Sequence, residues 1–112
     1  MDNLAKRHDR FMADPLPVRL GGIAANLARV ASCSSDARNH EAVLDMIEES
    51  KWFIEWAAPE AGLDVAARLV EIQVSLALYE LRMRAGADSV DHIADAALAW
   101  SEEVLQMSGL LD

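Results

Sequence analysis

The stretch richest in potential chemistry is "DSVDHIAD", residues 88–95. Asp88, Asp91, His92 and Asp95 recur at i, i+3, i+4 and i+7, so on a helix they share one face. Carboxylate oxygens and an imidazole nitrogen so arranged are candidate ligands for a divalent cation. The same pattern has a commoner electrostatic origin. Acids gather at helix starts because the N-terminal end of the helix dipole is positive. The cluster is therefore a candidate metal site set against an ordinary solvated helix start.

Other constellations fail on spacing. Di-iron bundles need Glu-x-x-His on facing helices, and the chain has none. Helical nucleotide pyrophosphohydrolases use Glu-Glu-x-x-Glu; here Glu48-Glu49 is followed by Trp52. Histidine phosphotransfer bundles expose a His beside Lys and Gly, whereas His40 lies among Arg38, Asn39 and Glu41. No Arg precedes a His by the four to six helical residues of HEPN-type ribonucleases. The serines near Cys33 have no positioned base. Gly21-Gly22 has neither the preceding strand nor the following Gly-Lys-Ser/Thr of a phosphate loop. No catalytic residue and no cofactor is expected, and the balance favours a non-enzymatic protein.

A second signal is recognition rather than catalysis. In "EESKWFIEW" (48–56), Trp52 and Trp56 stand one helical turn apart. On a helical wheel Val43, Ile47, Ser50, Ile54 and Ala58 form the core stripe, flanked by Leu44 and Phe53. The tryptophans fall nearly opposite, among Asp45, Glu48 and Glu49. Two tryptophans left in water forgo several kcal/mol of burial, at about 25 cal/mol per Å². Either a neighbouring segment covers one of them or the pair belongs to an interface, where Trp is enriched.

The elements that carry these residues read as helices, since no window alternates as a half-buried strand does. Residues 1–14 form an arm in which Leu4, His8, Phe11 and Met12 fall at helical spacing. "DPLP" (14–17) breaks the chain. A helix then runs from about Leu16 to Cys33, with Leu16, Leu20, Ile23, Leu27 and Val30 as its apolar stripe. Its row of small residues, Gly21, Ala25, Ala28 and Ser32, predicts close approach to a neighbour. A second helix runs from the 32–39 turn to about Ala58, where Pro59 stops it. A third runs from about Leu63 to Ala85, before Gly86. A fourth starts near Asp88 and ends near Ser108-Gly109. Its expected inner positions are Val90, Ala94, Ala97, Ser101, Val104 and Leu105, with Trp100 at the edge. Four such helices with short connections predict an all-α fold: a four-helix up-and-down bundle over 15–112, with residues 1–14 as a short N-terminal helical arm.

The third helix carries two apolar seams. One is Val65, Leu69, Ile72, Leu76, Tyr79 and Met83. The other, nearly opposite, is Leu63, Ala67, Val70, Val74, Leu78, Leu81 and Ala85. A helix apolar on opposite faces must be buried on both. Either it is central, with the arm over its far face, or a second chain covers one seam. Symmetric dimers are the commonest oligomers, so a homodimer is expected. We assign the first seam, with Trp52 and Trp56, to that interface, although the sequence leaves open which seam faces the partner.

Composition narrows the partners further. The 112 residues suit one domain, and half of them are apolar, enough for a core without staples. Net charge is −9, which argues against nucleic acid and anionic membranes as main partners. Residues 1–35 carry five Lys/Arg against three acids, while residues 36–112 carry five against sixteen. A mildly basic first segment is thus expected to dock on an acidic remainder. The one cysteine, Cys33, excludes an internal disulfide. No secretory signal or run of eighteen apolar residues occurs, so a cytoplasmic protein is expected.

"RHDRFMADPLPVRLGGIAANLARV" (7–30) and "WSEEVLQMSGLL" (100–111) resemble segments of small helical proteins of cyanobacterial type. That resemblance implies an intracellular helical bundle. It carries no assigned activity, so no functional residue transfers from it. The functional expectation is a small self-associating protein-interaction or scaffolding module. The alternative is an enzyme or small-ligand or metal binder using the acidic face at 88–95.

Overall fold

The computed structural model describes residues 2–86 and 92–112. They form five α-helices and no strand among the described residues: α1 (Asp2–Met12), α2 (Leu16–Cys33), α3 (His40–Ala57), α4 (Leu63–Arg84) and α5 (Ile93–Ser108). Short 3₁₀ turns, Ala37–Asn39 and Ala58–Glu60, lead into α3 and out of it.

Local chemistry sets the boundaries. Pro15, with φ −65°, precedes α2, and Pro17 stands in its first turn, where the missing N–H leaves nothing unpaired. Asp36 starts the turn before α3 by accepting the Arg38 backbone N–H at 2.9 Å. Gly86 (φ 77°) follows α4 and Gly109 (φ 76°) closes α5. Both take the left-handed conformation that ends helices at little cost for glycine.

The centre of the molecule is α2, which packs most extensively on α5 and then on α3. Ile23, Leu27 and Val30 of α2 are fully buried against Ile47 and Ile54 of α3, Leu69, Ile72 and Leu76 of α4, and Ile93 and Val104 of α5 within one apolar cluster. Arg19, near the start of α2, reaches Glu60 beyond the end of α3, so these two helices run in opposite directions. Gly21 lies against Leu110, just past the end of α5, so α2 and α5 also oppose each other.

The expected row of small residues is corrected here. Ala25, Ala28 and Ser32 are exposed. The close approach instead involves the adjacent residue, Ala24, whose carbonyl accepts the Ser101 hydroxyl of α5 at 2.7 Å. Ala97 and Ser101 lie buried in α5, and their small side chains let the two backbones approach. The shift of one position places Asn26, not Ala25, inside. Asn26 is satisfied there by donating to Glu49 Oε1 at 2.9 Å.

Candidate interaction surface

The two faces of α4 have opposite fates. Leu69, Ile72 and Leu76 are fully buried in the chain's own core, Met83 is buried, and Val65 and Tyr79 pack at its edge. The seam assigned to a partner is thus occupied within the chain, which corrects that assignment. The physical reason is that the short connection at 58–62 lays α3 alongside this seam, and α4 packs more extensively on α3 than on α5. The other seam is open. Leu63 is 85% exposed, Leu81 65%, Val74 55%, Leu78 49% and Val70 45%. Ala67, Ala77 and Ala85 are exposed between them.

Side-chain pairs fix which way this stripe points. Lys51 of α3 is hydrogen-bonded to Glu80, which also accepts from Arg84 at 3.2 Å. Burial pushes the Glu80 carboxyl up, but hydrogen bonding, with Lys51 foremost, outweighs it and holds the group below its ordinary range. Gln73 donates to the Lys51 carbonyl and to Glu55, each at 3.0 Å. On the other flank Arg68 grips Glu103 of α5 at 2.6 and 3.0 Å, and Tyr79 meets Trp100 edge to face at 6.2 Å. Clamped on both flanks, α4 has little freedom to roll its open seam inward.

The tryptophan pair divides. The rings stack with centroids 5.8 Å apart, but their surroundings differ. Trp56 is half-buried beneath α1: His8 meets it edge to face at 5.0 Å and Phe11 lies 5.8 Å away. Phe11 also stacks on Phe53 at 4.3 Å. Trp52 remains 37% exposed, beside Glu48, Lys51, Glu55 and Gln73. The arm therefore covers Trp56 and leaves Trp52 at the surface. It docks on α3 and not over the open seam of α4, and Arg7 adds an ion pair to Glu49 at 3.4 Å.

Two features were not read from the sequence. One is Arg19, only 5% exposed, which pairs in a fork with Glu60 at 2.9 and 3.2 Å and donates to the Asp14 carbonyl at 2.9 Å. The hydrogen bonds from Arg19 hold the Glu60 carboxyl below its usual range. The other is an open groove of about 630 Å³ between α1, α2, α3 and the end of α5. Phe11, Val18, Phe53, Leu105 and Leu110 supply its apolar wall, and Arg7, Arg10, Asp14 and Glu49 its polar rim. Four separate elements build it, so no local pattern announces it.

Of the candidate metal ligands, Asp88 and Asp91 lie outside the described residues. His92 and Asp95 are both exposed at the start of α5. Among the described residues no three His, Cys, Asp or Glu side chains gather as a metal site would require. Nor is any described helix long and apolar enough to cross a membrane. No family model, no curated protein and no solved structure matches this chain.

Proposed function

We propose that the chain is a small, non-enzymatic interaction module that self-associates through the outer face of α4. In this reading α2–α5 form a four-helix up-and-down bundle and α1 is an arm strapped across α3. The observation that carries it is the open stripe. Its five large residues together expose the equivalent of about three whole side chains. That is about 500 Å² of apolar surface per chain, and twice that, about 1,000 Å², is the lower bound for a specific interface. A second copy is the occupant favoured, because each copy brings an equal apolar area and symmetric pairing covers both at once. The half-buried, unpaired Cys33 fits a reducing compartment such as the cytoplasm.

The test separates the two seams. Leu81→Glu places a charge on the exposed face, so the variant should stay folded by circular dichroism and run as a monomer in light scattering. Leu76→Glu buries a carboxylate in the core and should unfold the chain. A wild-type monomer at every accessible concentration would refute self-association.

The groove supports a second reading, a binder of a small apolar ligand. Its volume lies in the range of ligand pockets. A Cβ built on Gly22, which lines it, meets nothing within 4 Å. Gly22→Leu should therefore fill the groove without disturbing the fold. Loss of an apolar dye's binding in that variant would support this reading, and equal binding would count against it. A divalent-metal titration of Asp91→Ala with His92→Ala tests the 88–95 face independently.

A further inference from the structure

The open seam of α4 has the same spacing read from either end. Counted outward from Val74, position 70 answers 78, 67 answers 81, and 63 answers 85. An antiparallel copy centred on Val74 would set Val70 on the partner's Leu78, Ala67 on its Leu81 and Leu63 on its Ala85. The two most exposed leucines, Leu63 and Leu81, each meet an alanine. Large against small at facing positions is what lets two helix surfaces interdigitate at an axis separation of about 8–10 Å. We infer that two copies of this chain pair antiparallel along α4, with Val74 at the two-fold axis; the inference rests on the self-association proposed above.

Charge on the flank points the same way. Asp64 and Arg82 lie on one side of the stripe, near opposite ends of α4, and both are exposed. Neither makes an ion pair among the described residues. A two-fold axis perpendicular to antiparallel helices brings like flanks together. Asp64 of one copy then lies beside Arg82 of the other, about 3 Å out of level along the axis at 1.5 Å per residue. This happens twice by symmetry. A parallel pair would instead set Leu63 on Leu63 and align the two helix dipoles side by side.

Light scattering and crosslinking read different things, which keeps the two claims apart. In a Cys33→Ser background, Ala67→Cys with Leu81→Cys should form a disulfide-linked dimer on mild oxidation. Leu63→Cys alone should form none, whereas a parallel pair would crosslink through it. Asp64→Arg or Arg82→Asp alone should each raise the dimer dissociation constant about tenfold, since each puts like charges at two contacts. The double exchange should return it to near the parent value. A dimer that crosslinks through Leu63→Cys, or that the double exchange fails to restore, overturns the antiparallel register and leaves self-association standing. A wild-type chain that stays monomeric overturns both.

Discussion

Gly21 and Gly22 are neighbours in α2 with different surroundings. A Cβ on Gly22 would meet open space, whereas one on Gly21 would sit 2.7 Å from Cδ1 of Leu110. Glycine inside a helix costs about 1 kcal/mol relative to alanine. Gly22→Ala should therefore stabilise the fold by about that amount, measured by urea unfolding. Gly21→Ala gains the same propensity but pushes aside Leu110, which is already half exposed, so its net effect should be smaller. Glu80 offers a pH test. Its folded carboxyl lies below the ordinary value of 4.5, so its contribution is complete above that pH and fades as pH falls through the folded value. Glu80→Gln removes one of the two carboxylates paired with Lys51, leaving Glu48 at 3.0 Å, and should cost about 1–3 kcal/mol at pH 7. The stability difference between Glu80→Gln and the parent should shrink in acid. A difference independent of pH would deny Glu80 that role.

At the scale of elements, α1 is held by aromatic contacts to α3. Phe11 is 8% exposed, stacks on Phe53 and leans on Trp56. Phe11→Ala should cost about 3–5 kcal/mol if α1 stays docked, and less if the arm simply releases. Tryptophan emission distinguishes the two, because release uncovers Trp56 and shifts its emission to the red. This arm also marks how far the sequence could be read. Helices α2 and α4 and the core stripe of α3 were legible because each carries a regular apolar period and a Pro or Gly at one boundary: Pro15 and Pro17 at the start of α2, Pro59 after α3 and Gly86 after α4. Val43, Ile47, Ser50 and Ile54 are buried as that period requires. Which seam of α4 is covered was not legible, since both repeat at the same spacing and only the placement of α3 distinguishes them. The close face of α2 lies one residue away from its row of small side chains, because such a row says nothing about Asn26, whose burial depends on Glu49 from another helix. The groove and the Arg19–Glu60 fork are likewise products of segments far apart in the chain, 41 residues in the second case.

At the scale of the whole molecule, association must overcome net charge. Each chain carries −9, and its radius of gyration is 13.6 Å. Two such bodies about 27 Å apart repel by about 12 kcal/mol in unscreened water. With a Debye length of about 8 Å at 0.15 M ionic strength, that falls below ~0.5 kcal/mol; at 0.01 M, with a length of about 30 Å, about 5 kcal/mol remains. The Asp64–Arg82 contacts respond in the opposite sense, since salt weakens them, but exposed pairs contribute only about 0.2–1 kcal/mol each. The long-range term is the larger, so it decides the direction. Lowering ionic strength from 0.15 M to 0.01 M should dissociate the dimer, seen as a fall in light-scattering mass at fixed concentration. The melting temperature should then lose its dependence on protein concentration, because stability drawn from a partner appears only while the partner is bound. A mass that rose as salt was removed would mean that attraction between unlike patches dominates the interface, and an apolar seam on α4 would no longer explain the association.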